Sequence, residues 1–158
     1  MQFHSASPAD SLVDEIKASH LLLELLKREQ AQLIEANIDG LTMVAEEKAQ
    51  MVAQLASLAK TRHQALASAG FAAEEAGMQK WLESPCATVA ANTSWIELLT
   101  LARSAKEFNR TNGLLISKHL VRTQNALNVL RGNVQGGGFY GPDGQATART
   151  GTRNLVVG

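Results

Sequence analysis

The sequence predicts an all-α protein, an elongated, coiled-coil-like antiparallel bundle with one long C-terminal helix and a flexible glycine-rich tail. Apolar residues make up 45% of the chain but aromatic residues only 4%, so the core must consist mainly of Ala and Leu. Three stretches repeat apolar residues at alternating spacings of four and three, as helices of a bundle do. We expect a helical domain over residues 7–131 and a tail over residues 132–158.

The first helix is predicted from Ser7 to about Asn37. Ser7 can cap it, Pro8 suits the first helical position, and Asp10 favours the positive end of the helix dipole. Its seam is a row at helical spacing: Leu12, Ile16, Ser19, Leu23, Leu26, Gln30, Leu33 and Asn37. The sequence Asn37 to Gly40 predicts a break, with Gly40 in a left-handed turn.

The second helix is predicted from Leu41 to Ala69 and is ended by Gly70. A weaker pattern over residues 72–83 indicates a short helix, closed by Pro85. The third long pattern covers about residues 90–131, which as one helix would be roughly 60 Å long. Its central row repeats every seven residues and consists of Trp95, Ala102, Asn109, Ile116, Thr123 and Leu130. A flanking row on the same face consists of Leu99, Ala105, Asn112, Leu120 and Leu127.

The C-terminal segment differs sharply in composition, because residues 132–158 hold eight of the twelve glycines and few apolar residues. Such a segment buries too little surface to offset the entropy of ordering it, so we expect it to be flexible.

Charge and cysteine content exclude several classes of protein. The 15 basic and 15 acidic residues cancel, which disfavours a nucleic-acid-binding surface for the whole chain. The single Cys86 excludes an internal disulfide framework and a multi-cysteine metal site. The N-terminus does not have the features of a secretory signal, and the most hydrophobic stretch, residues 21–26, carries the charge of Glu24 and is far shorter than a membrane span. We therefore expect a cytoplasmic protein without a membrane span.

The charges are nevertheless unevenly distributed. Residues 1–40 carry seven acids and three bases, whereas residues 85–131 carry two acids and six bases. The first and third long helices are therefore expected to lie side by side with complementary charges.

Catalytic motifs are not found in the sequence. It contains no Glu-x-x-His pair, no His-Glu-x-x-His and no phosphate-binding Gly-x-x-x-x-Gly-Lys-Ser/Thr, so we expect no enzyme activity, no cofactor and no metal site. One alternative is a histidine phosphotransfer domain, because residues 60–70 around His63 loosely resemble the phosphorylated helix of such domains. That family places a Lys and a Gly shortly after its His, where this chain has Leu66 and Ala67.

Polar residues interrupt the seam of the third pattern. Asn109 and Asn112 lie one turn apart and are followed by Gly113, a residue that costs about 1 kcal/mol in mid-helix relative to Ala. In a structural interpretation, Gly113 lets another helix approach closely and Asn109 fixes the register. In a functional interpretation, this stretch is a docking surface for a partner.

Specific sequence elements in the same region resemble FlgN-type flagellar export chaperones. They are NRTNGLLI at residues 109–116, TQNALNVLRG at 123–132 and YGPDGQ at 140–145, together with the less specific VAEEKAQM at 44–51. The resemblance extends over roughly residues 10–145.

The resemblance implies a non-enzymatic cytoplasmic chaperone of the flagellar type III export system. Its partners would be the C-terminal segments of the hook-associated proteins FlgK and FlgL and components of the export apparatus. The expected partner-binding residues are Asn109, Asn112, Gly113, Ile116, Leu120, Leu127 and Leu130, with Phe139, Tyr140 and Pro142 as an added arm. The phosphotransfer domain and a generic coiled-coil adaptor remain as alternatives.

Overall fold

The computed structural model describes residues 6–136, with side chains described as far as residue 133. Four helices follow in order, α1 (Leu12–Glu35), α2 (Ile38–Ser68), α3 (Glu75–Leu82) and α4 (Val89–Gly136). Residues 6–136 contain no strand, so the all-α prediction with a long C-terminal helix is confirmed. The chain divides into two compact units, Met1–Ser117 and Lys118–Gly158, and α4 contributes to both.

In the first unit α1 and α2 form an antiparallel pair. Three ion pairs join them, Arg28 to Glu47, Glu29 to Lys48 and Glu15 to Arg62. The ion pairs near the end of α1 reach the first half of α2, whereas Glu15 near the start of α1 pairs with Arg62 near the end of α2, which is the signature of antiparallel packing. The predicted antiparallel arrangement is therefore confirmed for these helices.

The turn between α1 and α2 differs from its prediction. Ala36, not Gly40, has the left-handed backbone, with φ of 54°. Asn37 caps α2 by accepting a hydrogen bond from the backbone N–H of Gly40 at 3.1 Å. Gly40 is already helical, and a Cβ there would overlap the side-chain amide of Gln32. Gly40 therefore does not have the left-handed conformation that was predicted for it.

The start of α1 also lies further along the chain than predicted, at Leu12. Ser7 and Asp10 instead stabilise a turn ahead of the helix. The Ser7 backbone N–H donates to Asp10 Oδ2 at 2.8 Å, and Ser7 Oγ accepts from the Ala9 backbone N–H at 3.3 Å. The predicted capping residues therefore do form side-chain hydrogen bonds to the backbone, but these bonds stabilise a turn before the helix, in which Pro8 is buried.

Two glycines define the region between α2 and α3. Gly70 has φ of 84° directly after the end of α2, as predicted for a helix-terminating glycine. Gly77 lies inside α3, where a Cβ would overlap the backbone carbonyl oxygen of Ala72. The α3 helix can therefore pack against the loop before it only with glycine at position 77.

The apolar core of the first unit lies where all four helices contribute side chains. It comprises Leu12, Leu66, Met78, Trp81, Ala91, Trp95 and Leu98. Two large indole side chains thus supply much of the buried area in a chain otherwise poor in aromatic residues.

The second unit begins at Lys118, within α4. All its described side chains from Leu120 to Asn133 are exposed. The helix runs past the predicted end at residue 131 to Gly136. The predicted flexible tail lies largely outside the described residues, and the boundary at residues 131 and 132 stays a prediction. No helix in the described part of the chain is long and apolar enough to cross a membrane.

Candidate functional site

A buried polar layer joins α1, α2 and α4 in the first unit. Asn112 is only 1% exposed, and its Nδ2 donates to the Leu26 carbonyl oxygen at 2.9 Å and to Glu29 Oε2 at 2.8 Å. The other carboxylate oxygen of Glu29 accepts from Lys48 Nζ at 2.6 Å. Because each of these groups needs its specific partners when buried, the layer fixes the register of the three helices.

This layer corrects the expected roles of the two asparagines. Asn112 was expected on a partner-binding face, but it lies inside the bundle and cannot touch a partner there. Asn109 was expected to fix the register, but it is exposed. The three residue steps from Asn109 to Asn112 turn the helix by about 300°, so the two side chains point about 60° apart. That rotation is enough to place one in the interior and the other at its edge.

Gly113 does not provide a close helix contact. A Cβ built on it meets nothing within 4 Å, so the prediction that it lets another helix approach closely is wrong for the described structure. Ile116, one turn further along α4, is exposed. Both residues belong to the first unit.

Asn109 lines a shallow groove of about 260 Å³ between α1, α2 and α4. Its apolar lining consists of Leu22, Leu26, Val52 and Ala105, and its polar lining of Lys48, Lys106 and Asn109. One residue further along, Arg110 forms an exposed ion pair with Glu107. Its hydrogen bonds and positive charge hold the pKa of the Glu107 carboxyl below its ordinary value.

The second unit carries the apolar part of the predicted site. Leu120, Leu127 and Leu130 are between 48% and 63% exposed. Their spacings of seven and three place them on one side of α4, together with Thr123. We call these three leucines the C-terminal row. The surrounding segment, residues 118–133, contains Lys118, Arg122 and Arg131 but no Asp or Glu.

The remaining predicted site residues, Phe139, Tyr140 and Pro142, lie outside the described residues. Two exposed valines, Val121 and Val129, were not among the predicted residues although they neighbour the C-terminal row in sequence. They lie off its side of the helix, which is why a search for a heptad spacing does not select them.

Arg62 was not among the predicted site residues, but the structure makes it the centre of a buried network. Its Nε donates to both carboxylate oxygens of Glu15, at 3.1 and 3.3 Å. Its terminal nitrogens donate to Glu75, at 3.1 and 3.4 Å, and its guanidinium carbon lies 4.8 Å from the ring centroid of Trp95. One side chain thereby connects all four helices.

His63 has surroundings that do not favour phosphoryl transfer. Its Nε2 atom is buried and lies 3.5 Å from a carboxylate oxygen of Glu75. A phosphoryl group would have to reach the covered Nε2 atom of His63 beside the Glu75 carboxylate, which is negative like the phosphoryl group. The lysine that such domains use to neutralise the phosphoryl charge is replaced in this sequence by Leu66 or Ala67. Among the described residues, no group of three His, Cys, Asp or Glu side chains is arranged to hold a metal ion.

Both the comparison with protein families and the comparison with curated proteins gave matches to this chain. The model of the family described as FlgN protein matches residues 1–148. Two curated relatives, both called flagella synthesis protein FlgN, come from Yersinia enterocolitica and from its serotype O:8 / biotype 1B strain. Each is 33% identical over 132 residues, which cover 79% of this chain and 82% of the relative. No solved structure matches the chain.

Proposed function

The chain belongs to the FlgN family, and from that premise we propose that it carries hook-associated proteins to the flagellar export apparatus. The family gives it a chaperone role in flagellar synthesis. In our proposal its clients are the C-terminal segments of FlgK and FlgL, which it binds in the cytoplasm and delivers to the type III export components. It does so by binding rather than by catalysis.

The observation that carries this proposal is the exposure of the C-terminal row. Leu120, Leu127 and Leu130 form an apolar strip on one side of a helix segment in which every described side chain from Leu120 onward is exposed. An apolar strip that a protein leaves exposed to water often marks an interaction site. Their spacing suits a client amphipathic helix that offers apolar residues at i, i+3, i+4 and i+7.

The chemistry of such a site suits a carrier that must release its client. A client segment that is unfolded when free has to be ordered on binding, and the cost of ordering lowers the net affinity. The three basic side chains near the row favour segments with acidic residues beside their apolar face, because opposite charges steer association.

The other predicted residues take different places in this proposal. Asn109, Gly113 and Ile116 are exposed in the first unit and stay candidate contacts. Asn112 supports the site only by fixing the register of the helices. Phe139, Tyr140 and Pro142 stay predicted as an added arm, because 140–145 carries the family-like YGPDGQ element.

The proposal is tested by titrating the full chain with synthetic C-terminal segments of FlgK and FlgL in a calorimeter. Leu127→Asp with Leu130→Asp should weaken binding more than a hundredfold. Each buried apolar side chain is worth about 1.5–3 kcal/mol, and about 2.8 kcal/mol corresponds to a hundredfold change. Helicity should not change, because both side chains are exposed in the free protein.

A matched control is Ile96→Asp with Val89→Asp, two exposed apolar residues of α4 in the first unit. This control should bind the client segments with wild-type affinity. Equal affinity of the Leu127 and Leu130 variant and the wild type would refute the assignment of the client to the C-terminal row. No binding of either segment by the wild-type chain would refute the client identity.

A further inference from the structure

The shallow groove that Asn109 lines, which we call the lateral groove, is an apolar surface within the first unit. Leu22 and Leu26 line it from α1, Val52 from α2 and Ala105 from α4. Leu26 is buried, whereas Val52 is 51% exposed. The lateral groove therefore brings apolar side chains of three helices together at one place, unlike the single apolar residues that are ordinary on a protein surface.

The two helices on either side of the lateral groove, α2 and α4, run antiparallel. The numbers of Val52 and Ala105, which line the groove from opposite helices, add to 157, and so do those of Arg62 and Trp95. A constant sum is expected for facing positions of an antiparallel pair. The Arg62 guanidinium carbon lies 4.8 Å from the Trp95 ring centroid, so side chains of the two helices meet there and bound the groove at this end.

The short helix α3 supplies a fourth helix only at the bounded end. Met78 and Trp81 of α3 share one core with Leu66 of α2 and Trp95 of α4. Because α3 has eight residues, it is only about 12 Å long, and none of its residues lines the lateral groove. In the described part of the chain, the first unit therefore packs four helices together at one end but only three along the groove.

The side of α2 that borders the groove carries a strip of small apolar residues. Its members follow spacings of four and three, which place them on one side of the helix: Ala45, Ala49, Val52, Ala56 and Ala59. All of them except Ala59 are exposed. The strip extends over about 21 Å, or about four turns. Because the distance between packed helices depends on the side chains at the contact, this strip allows another helix to approach closely.

The charge that lines the lateral groove is positive. Lys106 is exposed on the α4 side and forms no ion pair with any described residue. Lys48 on the α2 side donates one hydrogen bond to Glu29, and an ammonium group has three N–H donors. No Asp or Glu lines the groove. A helix with acidic residues beside its apolar face would therefore meet both apolar contacts and complementary charge.

We propose that the lateral groove is a docking surface for an acidic amphipathic helix of a second protein. Its apolar residues would pack against Leu22 and Val52, and its carboxylates would face Lys106. The docked helix would continue along the groove the four-helix packing that α3 provides at the bounded end. Residues 118–133 of a second copy are disfavoured as the occupant, because they carry three bases and no acid and would place like charges beside Lys106.

The preference of the groove for an acidic helix does not depend on the proposed function. That the occupant differs from the client does rest on it, because in the proposed function the client takes the C-terminal row. The two surfaces are therefore tested separately, with the row disrupted while the groove is measured.

The test uses the full chain with Leu127→Asp and Leu130→Asp as its parent. The probe is a fluorescently labelled synthetic helix with leucines on one face and glutamates beside them, and fluorescence anisotropy should show that it binds the parent. Adding Val52→Glu and Lys106→Glu, which we call the groove variant, should weaken binding at least tenfold. These changes put a carboxylate on the apolar side of the groove and reverse the charge of the other side.

The matched control makes the same two kinds of change at exposed positions away from the groove, Val13→Glu with Lys60→Glu. It should bind the acidic helix like the parent. A second synthetic helix with lysines in place of the glutamates should bind the groove variant severalfold more tightly than it binds the parent. Loss of helicity in the groove variant would instead abolish binding of both peptides.

A milder variant keeps the test decisive if the groove variant does unfold. Lys106→Gln should weaken binding of the acidic helix severalfold at low salt, and the difference from the parent should shrink as salt screens the charges. Lys60→Gln is its control and should change little.

Three results would overturn the proposal. Equal losses in the groove and control variants would show that binding is not specific to the groove. Self-association of the wild-type chain that Val52→Glu with Lys106→Glu abolishes would make the groove an interface between copies. Loss of the FlgK and FlgL segments on introducing the same two changes into the wild-type chain would make it part of the client site. Failure of the client proposal itself is read from the Leu127 and Leu130 variant.

Discussion

Replacing Arg62 by methionine should destabilise the first unit strongly, because it leaves a buried carboxylate without its cation. The side chains of Arg62 and Glu15 are each 3% exposed. Removing one member of a buried ion pair costs about 3–5 kcal/mol. The lost contact with the Trp95 ring adds about 0.5–2 kcal/mol. Glu75 is 60% exposed and adds little, so the two contributions together amount to about 3.5–7 kcal/mol. Because Glu15 retains the hydroxyl of Ser11 at 2.7 Å, we expect the lower part of that range, about 3.5–5 kcal/mol.

The double variant Arg62→Met with Glu15→Leu should recover most of that loss. Two apolar side chains then occupy the space of the pair, and no buried charge is left unpaired. Such replacements are often neutral or stabilising, so we expect a free energy of unfolding within about 1 kcal/mol of wild type. Urea denaturation followed by circular dichroism at 222 nm measures all four members of the cycle.

Arg110→Met is the matched control, since its ion pair with Glu107 is exposed. It should shift the urea midpoint far less than Arg62→Met does, because an exposed ion pair contributes little to stability. A loss below about 1 kcal/mol for Arg62→Met would refute the reasoning, because the pair would then behave like one in water. So would a double variant that is destabilised by the sum of the two single changes, since that result means no coupling between the side chains.

Other perturbations test the close packing, the polar layer and the surface charge. Gly77→Ala should lower the free energy of unfolding by about 1–3 kcal/mol, because the new Cβ would overlap the backbone carbonyl oxygen of Ala72. Gly113→Ala should raise it by about 0.5–1 kcal/mol, because a Cβ there meets nothing and Ala is the better helix former. Thermal melts measure both changes. Asn112→Leu should cost about 1–3 kcal/mol in urea denaturation, because its two acceptors on α1 lose a buried donor. Arg110 holds the pKa of the Glu107 carboxyl below its ordinary value. The ion pair therefore contributes its full stabilisation at a pH above the ordinary pKa of Glu107, and this contribution is lost as the pH falls through the lowered pKa of the folded state. An NMR titration that gives Glu107 an ordinary or raised pKa would contradict this.

Helical spacing predicts which elements form but not which side chains at the edge of a seam are buried. The pattern placed Asn109 and Asn112 on one face, yet only Asn112 is inside. Which of them is covered depends on where the neighbouring helices lie, and a single helix pattern does not contain that information. Likewise, the break before α2 was visible, but the left-handed residue is Ala36, and Gly40 already lies inside the first turn of α2.

The exposure of the C-terminal row could not be read from its spacing either. The leucines of the C-terminal row continue the helical spacing that begins at the buried Trp95. That spacing would be the same whether or not another helix covered the leucines. The antiparallel register of α1 and α2 did leave a signal in the sequence. The numbers of Glu15 and Arg62, and those of Glu29 and Lys48, both add to 77, as expected for facing positions of an antiparallel pair.

The polar side chains packed inside the bundle limit which other helices the bundle can accept. Arg62, Lys48 and Asn112 each find buried partners on α1. An apolar seam would accept any amphipathic helix, including a client, because apolar contacts are not selective. A foreign helix that replaced α1 would leave Nε of the buried Arg62 guanidinium and the buried Asn112 amide without their α1 partners, at a cost of about 1–3 kcal/mol each. We therefore expect the buried network to exclude clients from the bundle itself and to confine amphipathic segments to surfaces without such partners, of which the C-terminal row is one.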